Sequence, residues 1–164
     1  MLERIQTTMS AVKTRLLNDS TVRKLLYYDT TNALDLEAPS AKQMGNKYIT
    51  LRPIFEFENK GDYSQNSIVN IYTTEISPLE DTQACVGVLQ INVVCNLDLW
   101  ELDDAKIRPM QLAEKVIQLV HNQKLTVSNK IVFNSMTDLI ISKKMVGYAL
   151  LFEITDGSGE IDKF

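Results

Sequence analysis

The sequence is poor in the residues that build metal and redox centres. Its 164 residues include two cysteines, Cys85 and Cys95, and a single histidine, His121. That is too few for a four-ligand zinc site, and no metal is expected. The cysteines stand ten residues apart in one extended run, about 33 Å at strand rise, so no bridge can form within it. Both read as small core hydrophobes of a chain that folds in a reducing cytoplasm. No glycine-rich phosphate loop and no serine or cysteine in a nucleophile-elbow setting occurs. No run approaches the ~18 apolar residues of a membrane span. The first residues, with Glu3, Arg4, Gln6, Thr7 and Thr8, lack the apolar core of a signal peptide. Positive charge is also short. A net charge of -4 and a pI near 5.0 argue against a protein that grips nucleic acid by its phosphates. An acidic surface does suit DNA that must slide past without sticking.

What remains is an ordinary globular composition, 45% hydrophobic and 23% charged, and a length that suits one domain. The stretch from Thr82 to Lys124 organises the chain. From Cys85 to Trp100 apolar residues alternate. Cys85, Leu89, Ile91, Val93, Cys95, Leu97 and Leu99 share one face, opposite Gln90, Asn92, Asn96 and Asp98, which predicts a strand with one buried side. Pro109 then opens a helix, where its missing N–H costs nothing. Leu112, Ala113, Val116, Ile117, Leu119 and Val120 form its apolar stripe. Strand and stripe each need cover, and their contact is the expected core.

Residues 1–28 read as two helical pieces. Ile5, Met9, Val12 and Leu16 line one face of the first; Asn18, Asp19 and Ser20 break it and supply a new N-cap; Val22, Leu25 and Leu26 are the buried side of the second. Residues 29–47 lack periodicity and read as a long loop, either a surface connection or a segment ordered against a neighbouring subunit. Tyr48 to Glu58 and Ser67 to Ile76 are expected to form an edge hairpin around the polar loop 59–66, with Pro53 marking an edge or bulge. Ile131 to Phe133 and Met136 to Ser142 read as two short extended pieces. A tight turn at Ser142–Met145 leads to a last strand with Val146, Tyr148, Leu150, Phe152 and Ile154 on one face. Gly147 and Ala149 opposite them suggest close approach of a neighbour. The expected fold is α+β: a mostly antiparallel sheet, an N-terminal helical segment, and one long amphipathic helix packed on one face. It forms a single domain over 1–155, with sheet plus helix in 48–155 and a mobile tail at 156–164.

Candidates for chemistry are thin. His121 falls near the end of the amphipathic helix, where a histidine is ordinarily a solvated residue favoured by the helix dipole. Asp98, Glu101, Asp103 and Asp104 are the best placed acids for carboxylate or metal chemistry. Their position just before the helix makes capping of its free N–H groups the simpler reading. Basic residues, among them Arg15, Arg23-Lys24, Arg52, Lys106 and Arg108, are scattered rather than striped with aromatics. No catalytic residue and no cofactor is assigned, and a non-enzymatic protein is expected.

The N-terminal Leu16-Leu17-Asn18-Asp19 leading into Val22-Arg23-Lys24-Leu25-Leu26-Tyr27-Tyr28 resembles neck proteins of long-tailed bacteriophages. So does the strand Leu89-Gln90-Ile91-Asn92-Val93-Val94-Cys95 followed by an acidic linker, Pro109 and a helix, and so does the closing hairpin ending in Val146-Gly147-Tyr148-Ala149-Leu150-Leu151-Phe152. Together they are similar to the tail terminator (tail completion) family. The resemblance implies a homo-hexameric ring around a DNA channel that caps the tail tube and joins it to the head. Its implied partners are further copies of the chain, the tail tube protein and a head-completion or connector protein. DNA would pass through the lumen without specific binding, and no membrane is involved. The implied location is the head–tail junction of the virion, reached by assembly in the host cytoplasm. The expected contact residues are Phe55, Phe57, Lys60, Asp62, Tyr63 and Tyr72 of the edge hairpin and Lys143 and Lys144 of the last turn, with the tail after Thr155 as a second contact. Three alternatives remain open: a head-completion or connector neck protein, a cytosolic small-molecule or peptide-binding module with its pocket between the central strand and the Pro109 helix, and an enzyme built on Asp98 to Asp104.

Overall fold

The computed structural model describes residues 2–52, 66–78, 85–125 and 129–156. Helix α1 (Leu2–Asn18) buries Ile5, Thr8, Val12 and Leu16 along one side. It stops where Asp19 turns extended (φ -80°, ψ 127°). The Asp19 carboxylate accepts the Val22 N–H at 2.9 Å and opens α2 (Ser20–Tyr27). Val22, Leu25 and Leu26 point into the core, as their spacing predicts.

Residues 29–47 are more ordered than their composition suggests. They hold a 3-10 turn, Ala33–Asp35, and a short helix, α3 (Ala41–Met44), that anchor Ala33 and Met44 in the core. A reciprocal cap starts α3. The Ser40 hydroxyl accepts from Gln43 N, and the Gln43 side chain accepts from Ser40 N. A four-residue helix is too short to show a period, so only its cap could have betrayed it.

Five strands form the main sheet in the order β1-β2-β3-β7-β6: β1 (Ile49–Thr50), β2 (Ser67–Pro78), β3 (Cys85–Asn96), β6 (Asn129–Ile140) and β7 (Met145–Asp156). The long strands are antiparallel, and β1 joins β2 in parallel. The α+β class and the central place of β3 follow the sequence pattern. Three details depart from it. The described part of the expected edge hairpin is no hairpin, because Ile49 pairs with Val69 in parallel and parallel neighbours need a crossover. The two extended pieces after the helix are one strand, β6, broken in register between Phe133 and Ser135, where a bulge absorbs Asn134. And β3 ends at Asn96 rather than Trp100. The Asn96 side chain accepts from Asp98 N (3.0 Å) and starts a 3-10 turn, Leu97–Leu99, that leaves Leu97 exposed.

A two-stranded ribbon, β4 (Glu101–Leu102) with β5 (Lys106–Ile107), leads into α4 (Arg108–Val120). Pro109 lies in the first turn of α4, as expected. The helix ends four residues before Lys124, where Asn122 takes the left-handed conformation (φ 57°). Helix α4 lies over β3, β7 and β6 and touches α1 and α2. Leu112, Val116 and Val120 meet Leu89, Ile91, Val93, Leu150, Phe152 and Ile154 in one core. Among the described residues the space between the central strand and this helix is filled by these side chains. The close approach expected at Gly147 comes from the adjacent strand. A Cβ on Gly147 would run into the Val93 carbonyl oxygen.

Candidate functional site

Among the described residues the lateral edges of the sheet are β1 and β6. On β6 the first part of the edge is closed by the turn that follows α4. Asn122 N donates to Ile131 O (2.8 Å), and Phe133 N donates to His121 Nδ1 (2.9 Å). His121 is thus a half-buried residue that ties the end of α4 to β6 rather than a solvated surface histidine. Its Nδ1 accepts the Phe133 N–H, and its Nε2 lies 2.9 Å from the Asn122 side-chain nitrogen. Beyond the bulge, from Ser135 to Ile140, no hydrogen bond engages the outer edge among the described residues.

That open half is bordered by apolar side chains at exposed positions. Ile140 is 76% exposed, and Met136 of β6 and Met110 of α4 are also exposed. Register places Met136 opposite the buried Leu150, hence on the helix side of the sheet. A cavity of about 380 Å³ opens between α4 and β6, lined by Met110, Ala113, Glu114, Ile117, Gln118 and Met136. Among the described residues Glu114 is the one charged residue lining it, and exposed Asp138 stands two residues from Met136 on the same face of β6. The arrangement has the character of a docking surface: free backbone, apolar anchors and an acidic rim. Sequence reasoning passed over Met110, Met136 and Ile140 because apolar residues were assigned to the core. The available signal was Met110, which falls off the Leu112–Val116–Val120 stripe.

The acids before α4 have another role than the one expected. The N-cap of α4 is Ile107, which makes no side-chain cap bond. Asp103 and Asp104 sit instead on the 3-10 turn of the β4–β5 ribbon, where Asp104 and Ala105 have φ of 61° and 55°. The ribbon holds the carboxylates away from the helix end. Asp104 pairs loosely with Lys106 and Asp98 with Lys144, both at 3.9 Å. Among the described residues no group of three His, Cys, Asp or Glu side chains is placed to hold a metal.

Arg108 is the residue that fixes this region, and nothing local in the sequence distinguishes it. Its side chain is fully buried. Nε donates to Leu99 O (2.9 Å), Nη1 to Leu25 O and Tyr28 O (2.8 Å each), and Nη2 to Thr30 O (2.7 Å). It thereby caps the end of α2 and ties it to the start of α4. Burial pulls its guanidinium below the usual value, while Cys95 and Asp29 act in the opposite direction. Burial also pushes the Cys95 thiol up to about 12, against the lowering effects of a hydrogen bond with Ser67 and of Arg108. A thiol so placed is an inert core group, as its position in the alternation predicts.

The expected contact residues are not one patch within the described structure. Phe55, Phe57, Lys60, Asp62 and Tyr63 lie outside the described residues, as does the tail from 157 onward. Tyr72 is half-buried on β2, opposite Gln90 and on the face away from the helices. Lys143 and Lys144 are exposed in the β6–β7 turn, which bonds back to the end of β3 through Leu97 N and Lys144 O (2.8 Å). Six residues of β3, about 20 Å, separate the two places.

A protein-family model described as YomW matches residues 19–154, from the N-cap of α2 through β7. No curated protein matches the chain.

Proposed function

The chain belongs to the YomW family, a phage-derived family, and from that premise we propose that it is a structural protein of a phage head–tail junction. In this reading it is a tail terminator. Copies close into a ring of six at the end of the tail tube, stop its growth, and offer a docking face to a head-completion or connector protein. The chemistry is geometric rather than catalytic. The observation that carries the reading is the open half of the β6 edge, flanked by exposed Met110, Met136 and Ile140 and the cavity beside them. A contiguous apolar surface along an unpaired strand edge is a liability in a monomer and an asset in an assembly. The acidic chain, at net charge -4, suits a lumen through which DNA passes without adhering.

The test is solution mass over a concentration series, followed by electron microscopy with purified tail tubes added. The reading expects six-fold rings, free or at tube ends. A monomer that ignores tubes at every concentration removes it. The same cavity also fits a second reading, a module that binds a small apolar ligand between α4 and β6 rather than beside β3. Persistent monomers would send the search there.

A further inference from the structure

We infer that copies of this chain associate head to tail, the β1 flank of one seated on the α4–β6 flank of the next. The inference rests on the ring reading above and names the two surfaces that make the ring.

The acceptor flank carries the free backbone of Ser135–Ile140, the apolar anchors Met136 and Ile140, and two exposed carboxylates, Glu114 and Asp138. The other lateral edge has the complementary chemistry. Lys42 on α3, Lys47 just before β1, and Leu51 just after it are all exposed. Between Glu37 and Glu56 the chain contains no acidic residue. Lys42, Lys47 and Leu51 thus mark one flank, and Glu114 and Asp138 beside Met136 and Ile140 mark the middle of the other. Opposite signs on the two surfaces favour joining one to the other and steer their encounter. Joining β6 to β6 about a two-fold axis would set Glu114 and Asp138 against their own copies, which like-charge repulsion opposes.

The geometry sets the kind of assembly. The two flanks are opposite ends of one open sheet, so a contact between them is heterologous. Repeated from copy to copy, such a contact closes into a ring if its rotation divides the circle, and otherwise grows as a filament. Nothing in it lets growth stop at two.

The test reverses each flank separately in the full chain. One variant carries Glu114→Lys with Asp138→Lys; the other carries Lys42→Glu with Lys47→Glu. All four positions are exposed, and circular dichroism confirms that both variants fold. Each alone has two flanks of one sign and is expected to self-associate at least tenfold more weakly than the parent protein, with or without tail tubes. An equimolar mixture brings opposite signs together at both kinds of junction, and is expected to recover full-size assemblies holding the two variants in equal number. If each variant alone assembles as the parent does, the contact lies elsewhere; the inference fails and the ring reading stands. A mixture that stops at a one-to-one dimer indicates β6 meeting β6 and also overturns it. A parent protein that never assembles, even with tubes, removes the ring reading and this inference together.

Discussion

Arg108 is a buried charged side chain held by four backbone carbonyls. Charged donors to carbonyls are strong, and their loss strands acceptors of which one, Leu25 O, is fully buried and three are partly buried. Arg108→Met fills much of the volume but leaves those carbonyls orphaned. We expect it to cost on the order of 3–5 kcal/mol in urea unfolding. Arg108→Lys offers a point charge in place of a planar fork and recovers only part of that. Cys95 makes a second prediction at this scale, through pH. Its thiol is raised from an ordinary 9.0 to about 12 in the folded protein, so the folded state holds the proton more tightly than the unfolded chain. Its contribution is fully present below pH 9 and is lost as pH climbs toward 12. The Tyr48 phenol shifts in the same direction, through burial first and then Tyr27 and Asp29. Urea midpoints taken between pH 8 and 11 should begin to fall near pH 9 in the parent protein and fall less steeply in Cys95→Ala. An equal slope in both would show that the thiol is not the group responsible.

Elements in this fold begin and end on specific side chains, and that separates acids which look alike in sequence. Asp19 caps α2 through Val22 N and also lies 3.4 Å from Lys115 of α4. Asp103 and Asp104 sit on a surface turn and cap nothing in α4. Asp19→Ala should therefore cost about 1 kcal/mol or more. Replacing Asp103 and Asp104 together by Asn should stay within about 0.5 kcal/mol, since Asn tolerates positive φ as well as Asp does. Thermal unfolding of the two variants side by side reads the difference directly. The same scale explains Gly147. The β3 backbone approaches so closely that any side chain meets the Val93 carbonyl, and Gly147→Ala should destabilise by about 3 kcal/mol or more, the upper range of overpacking. Bulge and edge belong together as well. The β6 edge is closed up to Phe133 by His121 and Asn122, the bulge follows at Asn134, and the open segment begins at Ser135.

At the scale of the whole molecule, three helices cover one face of an open sheet and leave its two lateral flanks chemically unlike. An assembly built on that difference should respond to ionic strength. Contacts between exposed charges are screened once the Debye length falls to a few ångströms, near 1 M salt. Apolar burial at Met136 and Ile140 is not screened. The complex is thus expected to loosen with added salt without dissolving entirely, and sedimentation at low and high salt would read this. Association that strengthens with salt would point to an apolar contact without the charge pairing.

The sequence by itself determined the elements that bury a face. Period-two runs marked β3 and β7, a run of β-forming residues marked β2, period-three-to-four stripes marked α1, α2 and α4, and Asp19 and Pro109 marked where two of the helices start. These patterns are legible because each apolar residue repeats a local instruction, and the α+β class follows from their order. The tertiary structure alone decided the rest. The parallel pairing of Ile49 with Val69, the bulge at Asn134 and the reach of Arg108 to Leu25, Tyr28, Thr30 and Leu99 all join residues far apart in the chain or depend on a partner strand. The candidate surface was hidden for the same reason. Met110, Met136 and Ile140 look like core residues until the sheet order places β6 at an edge, where no further strand or helix among the described residues covers them.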